Sequence, residues 1–285
     1  NVMAHIVDTS GNHLFSTNNA LDVNITNPSM MVNVAGLNFQ NVGVIVADTD
    51  NVILNNGYTS FGASTFIYKL VAFRNTVATT GSDITTNTAD TFNYGLLSGG
   101  VAVYAKSSSA NDTNSAGTGA RQIIIRGIDD MAMDGTSTLN MNGTSSTGNA
   151  DTLFSRINSV TVMSAGSSLT NEGKITLYDF ATNTEICNIP INYGVSALGL
   201  LTIPALKTAF LRRCTIQTTT AQTIYFYVND NISNCWIMKH MCIVNGAYEI
   251  DLKLRLTSTS DFRIYSVATT TAGSCSVQID YYIQY

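Results

Sequence analysis

Residues Tyr248 to Leu256 alternate polar and apolar positions without a break. Ile250, Leu252, Leu254 and Leu256 fall on one side, and Glu249, Asp251, Lys253 and Arg255 on the other. A period of two is the mark of a strand with one buried and one wet face. The same alternation predicts a strand at Lys174–Asp179, the aromatic and β-branched run Ile224–Val228 predicts another, and the chain closes on a further one at Val277–Ile283. Turn signals recur at intervals of about ten residues through 173–285, the spacing of a sandwich or jelly roll. Further upstream, Val42–Val46, Phe66–Phe73, Val101–Tyr104, Gln122–Arg126, Leu139–Gly143 and Ile157–Val162 are short apolar or alternating runs, each bounded by polar turns. Helix signals are scarce. Tyr193 to Leu201 is apolar enough for a helix, but it carries two glycines and Pro204 follows.

The pattern divides the chain into three parts. Residues 1–35 hold short scattered strands, broken at Asn27-Pro28, that cannot form a core alone. They are expected to be an extended arm that tethers neighbouring subunits. Residues 36–172 are expected to be a β-rich domain, and residues 173–285 a β-sandwich or jelly-roll domain. The fold class is all-β. Between the upstream strands, Ser107 to Gly119 is almost wholly Ser, Asn, Thr, Ala and Gly. A segment of that length without a strand is either an exposed, mobile loop or one ordered by a partner.

Composition sharpens this picture. Only 12% of the 285 residues are charged, about half the usual share. Thr, Asn and Ser occupy the polar positions, and they favour pleated surfaces and turns. Such neutral faces can be covered by a neighbouring subunit at lower desolvation cost than ions. The net charge of −5 and the absence of a basic stripe argue against direct nucleic-acid binding. No apolar run is long enough to span a membrane. The N-terminus lacks the pattern of a secretory leader and an initiator Met, so a processed form is expected. The five cysteines, Cys187, Cys214, Cys235, Cys242 and Cys275, are widely spaced and form no CxxC pair. They are expected to be buried free thiols, as in a protein assembled in a reducing cytoplasm.

Candidate chemistry is thin. His5 and His13 lie in the arm. His240 and Cys242 share one face of an apolar strand, where packing is the simpler reading than a nucleophile pair. Asp129, Asp130 and Asp134 cluster near a turn, but their spacing fits no calcium loop. Asp129 and Asp130 would be the acids of a glycosidase only if a partner carboxylate faced them across a cleft. Phosphate-binding glycine loops are missing, as are the nucleophile-elbow and zinc-protease motifs. Sequons occur at Asn24, Asn111, Asn142 and Asn231, a number expected by chance in so Asn- and Thr-rich a chain. Hence no catalytic, cofactor-binding or metal-ligating residue is assigned.

Three stretches carry a resemblance. The first is Val7-Asp8-Thr9-Ser10-Gly11-Asn12, then Asn19-Ala20-Leu21-Asp22-Val23. The second is Ala120 to Asp129, Leu139 to Thr144, Phe154 to Ile157, Ala165 to Ser168 and Asn171 to Thr176. The third is Ile189-Pro190, Ile203 to Leu211 and Asn245 to Glu249. Together they resemble virion structural proteins of tailed phages and related marine viruses, with Ala20 where Pro is usual and Leu206 where Gly is usual. The resemblance covers most of 120–285 and part of the arm, and leaves 36–119 unmatched. It implies a β-rich component of a capsid, fibre or tail, and no catalytic residue. The expectation is a structural virion protein, a homotrimer that forms or decorates a capsid beside other virion proteins and is assembled in the host cytoplasm. The alternative is a fibre or spike module binding a host-surface glycan; an enzyme such as a glycan depolymerase is a weaker third.

Overall fold

The computed structural model describes residues 67–85, 100–229 and 235–284. The predicted arm, the strand at Val42–Val46, and His5, His13, Asn24 and Asn231 lie outside them. Every element among the described residues is a strand, so the all-β reading holds. In chain order they are β1 (Ile67–Val77), β2 (Ser82–Asp83), β3 (Val103–Ser107), β4 (Ala120–Asp129) and β5 (Asp134–Asn140). Next come β6 (Phe154–Ala165), β7 (Ile175–Asp179), β8 (Glu185–Ile189), β9 (Leu200–Thr202) and β10 (Thr208–Thr218). The last are β11 (Gln222–Asn229), β12 (Trp236–Val244), β13 (Ala247–Leu256), β14 (Asp261–Ala268) and β15 (Gly273–Gln284). Residues 193–199 contain no helix; Val195 bridges to Thr161, and Leu198 to Ala72. No helix among the described residues is long and apolar enough to cross a membrane.

Two sheets enclose one core. Their orders are β1-β15-β10-β13 and β12-β11-β14-β2, with β9 also on β14. All the pairings are antiparallel. If the eight strands β1, β2, β10, β11, β12, β13, β14 and β15 are counted along the chain, first pairs with last, second with seventh, third with sixth and fourth with fifth. That is a long antiparallel ribbon rolled on itself, the jelly-roll arrangement of a β-sandwich. Alternation decides which side chains go inward. On β11, Ile224, Phe226 and Val228 are buried while Thr223, Tyr225 and Tyr227 face outward; on β14, Phe262 and Ile264 are buried. From the opposite sheet Leu211, Cys214 and Ile216 of β10, and Val277 and Ile279 of β15, close the same core. Phe226 and Phe262 stack at 6.2 Å inside it.

Strands β3 to β8 form a separate insertion between the second and third ribbon strands. Sheets β3-β7-β8 and β5-β4-β6 pack around a second core, including Ile123, Ile125, Phe154, Ile175, Leu177 and Ile189. The boundary expected at 172/173 therefore falls inside the insertion, because β7 and β8 pair with β3. The jelly roll instead begins at β1 and resumes at β10. One segment serves both cores: Leu198 and Leu200 pack in the insertion, and Leu201 and Ile203 in the sandwich.

Leu206 links a sequence feature to backbone geometry. It has φ +63° and its side chain is 83% exposed. The turn thus keeps the left-handed conformation that glycine adopts without a Cβ penalty, with Leu in its place. Replacing Leu206 by Gly is expected to raise stability by about 0.5 kcal/mol, the relief of strain outweighing the added unfolded-state freedom. Urea denaturation checks the sign.

Candidate functional site

The acidic cluster comes apart in three dimensions. Asp129 Oδ1 accepts the N–H groups of Met131 and Met133 at 2.9 and 2.8 Å, closing the β4–β5 turn. Asp130 is exposed, and Asp134 pairs with the buried Lys207. Asp129 thus closes a turn and Asp134 pairs with a lysine, while Asp130 faces solvent. Among the described residues no group of three or more His, Cys, Asp or Glu is placed to hold a metal.

His240 and Cys242 do share a face of β12, opposite Phe226 and Ile224 of β11. The His240 ring lies 5.9 Å from Phe226. Cys242 packs against the sandwich core, and burial pushes its thiol up to about 11. A thiol held protonated is a poor nucleophile. Burial also raises Cys214, and Cys275 to about 12. Cys187, Cys214 and Cys275 are buried, but Cys235 is exposed, against the expectation for all five.

Ser107 to Gly119 is held by hydrogen bonds to its own chain. Asp112 lies fully buried beneath it. Its Oδ1 accepts Ala120 N–H at 2.7 Å and Glu172 N–H at 2.9 Å; its Oδ2 accepts Ser107 Oγ–H at 2.5 Å and Gly173 N–H at 2.8 Å. Gly119 is required for this approach, since a Cβ there would stand 2.1 Å from Asp112 Oδ1. Above it, Glu172 accepts hydrogen bonds from Ser168, from Asn111 Nδ2 at 2.6 Å and from Thr118 Oγ1 at 2.5 Å. The Ser168 hydroxyl first, then Thr118 and Asn111, hold its carboxyl below the ordinary range. A carboxylate that accepts several donors favours its charged form. The amide of the Asn111 sequon is thereby occupied.

The outer face of the β12-β11-β14 sheet is the most distinctive surface. Tyr225 and Tyr227 stack at 6.0 Å, and Tyr265 meets both rings. The Arg263 guanidinium sits 4.9 Å from the Trp236 ring centre, 5.3 Å from Tyr227 and 5.6 Å from Tyr265, within cation–π range. Asp83 Oδ1 lies 3.6 Å from Arg263 Nε and balances its charge within the chain. Toward the sheet edge, Met238, Met241 and Ile243 continue the face; the two methionines are about half exposed and Ile243 is 70% exposed. The outer face of the other sheet is different. There β13 turns Glu249, Asp251, Lys253 and Arg255 outward, as its alternation predicts, and Arg213 reaches Glu249 at 2.7 Å. The apolar face was missed in sequence because its residues come from three strands. The unbroken Tyr225-Phe226-Tyr227 run was the one signal of it.

No family model matches the chain, and no curated protein matches it. Among solved structures, the chain is similar to the VP2 subviral particle of infectious bursal disease virus, at 9% identity over 84% of this chain and 74% of that one. The TM-score is 0.20, too low for the pair to share an arrangement of strands, so neither fold nor function follows from it.

Proposed function

We propose that this chain is a structural virion protein that forms or decorates a viral capsid by symmetric self-assembly. The observation that carries the reading is the eight-strand rolled ribbon with an insertion that has its own core. Jelly rolls recur in capsid and lectin domains. That is a fold-level analogy, and a fold by itself hosts many functions. The charge-poor strands and the virion-like stretches at 120–285 support the same reading. The partners it implies are further copies of the chain, with a homotrimer as the expected unit, and other virion proteins. The role is mechanical rather than catalytic. Electron microscopy of the purified full chain tests it: closed shells or ordered sheets are expected. A stable monomer that joins no particle would sink the proposal.

The aromatic face around Arg263 supports a second reading, a fibre or spike module that binds a host-surface glycan. Aromatic side chains with a polar tip suit such contacts. A glycan array distinguishes the two, since saturable binding lost in Tyr227→Ala belongs to the second alone.

A further inference from the structure

A two-sheet sandwich leaves edges, and each must be paired, covered or blunted to prevent uncontrolled association. In the first sheet, β1 carries Lys69 and Arg74, and β13 carries Glu249, Asp251, Lys253 and Arg255. In the second sheet β2 is two residues long. β12, nine residues long, is the exception: Lys239 is its one Lys, Arg, Asp or Glu. Lys239 sits at a break in register, where His240 pairs with Phe226 but Met238 already pairs with Tyr227. Beyond that bulge, His240 to Val244 pair regularly with β11, while among the described residues no strand lies on their other side.

We infer that His240–Val244 is the contact through which a second copy of this chain docks, by antiparallel pairing of the two β12 edges across a two-fold axis. This rests on the reading of the chain as a self-assembling subunit. The side-chain pattern admits a second copy. With the axis at Cys242, Met241 lies opposite Ile243 of the second copy and His240 opposite Val244 of the second copy. Lys239 lies opposite Asn245 of the second copy, so no like charges meet. Outward side chains directly opposite each other in an antiparallel pair are in contact range, and apolar pairs there are stabilising. The patch is also rich in aromatic and Met residues and poor in acids, as the cores of protein interfaces are. A two-fold contact is distinct from the one that closes a trimer, and a shell needs contacts of both kinds.

The test is light scattering on the full chain over a concentration series at moderate salt. Ile243→Lys and Met241→Lys should each lower the mass at the highest concentration at least twofold, to that of the unit held by the remaining contacts. Far-UV circular dichroism should stay unchanged, since both side chains are exposed. Lys253→Glu, on the edge of the other sheet, should leave the mass unaltered. Wild-type mass above monomer that persists in both β12 variants would overturn this contact and leave self-assembly standing. A wild-type monomer at every concentration would overturn both.

Discussion

Asp112→Ala is expected to destabilise the protein by about 4 kcal/mol and to release the segment Ser107–Gly119. Three backbone N–H groups and one hydroxyl converge on this carboxylate, at 2.5 to 2.9 Å. Asp112 and Gly173 are buried, so water does not readily replace the lost acceptor. Each buried donor left unmet costs about 1–3 kcal/mol, and partial relaxation keeps the total below the simple sum. Asp112→Asn separates charge from hydrogen bonding. One side of the amide still accepts Ala120 and Glu172, but its NH₂ then faces the Gly173 N–H. A cost of about 2 kcal/mol, between wild type and Ala, is expected. Urea denaturation gives the energies, and limited proteolysis should cut within 107–119 in Asp112→Ala but not in wild type. A loss below 1 kcal/mol, with the segment still protected, would show that the loop stands without this carboxylate.

That carboxylate also marks the limit of what could be read from the chain. Strand identity was legible wherever one face meets a core and the other meets water. β13 places Ile250, Leu252, Leu254 and Leu256 inward, as its period demands. Partner choice was not legible, because period is a local property. Nothing in Ile67–Val77 announces that it pairs with a strand at the far end of the chain, Ile67 beside Tyr282. The insertion was hidden for a related reason. Its strands share the Asn and Thr of the jelly roll, so no change in composition marks where one core ends and the next begins. Segment 107–119 was read by its neutral majority, which favours looseness. Its one carboxylate carried the information: a lone charge in a charge-poor stretch has to be solvated or satisfied, and here Asp112 is satisfied by backbone. Leu206 adopts a left-handed φ of +63°, a conformation that glycine reaches without a Cβ penalty and that nothing in the local pattern of the chain announces.

The two cores are expected to melt together. Phe226→Ala empties the centre of the sandwich, where the ring is fully buried against Phe262, and should cost about 3–5 kcal/mol. Phe154→Ala does the same in the insertion, whose core that ring helps to fill. If the insertion were an independent unit, the two variants would shift different transitions in a calorimetric scan. The connection between them argues otherwise. Leu198 and Leu200 lie in one core, while Leu201 and Ile203, their immediate successors, lie in the other. Asn158 of the insertion holds the same segment from both sides, its Nδ2 donating to Thr202 O and its Oδ1 accepting Thr202 N–H, each at 2.8 Å. Thr202 Oγ1 in turn donates to the buried Asp261 at 2.6 Å, which Arg156 of the insertion approaches at 3.8 Å. Loss of either core frees this shared strand and exposes part of its neighbour. Both variants should therefore show a single transition, lowered on the order of 10 °C. A Phe154→Ala scan that splits in two, with the upper transition at the wild-type temperature, would show that the insertion unfolds alone.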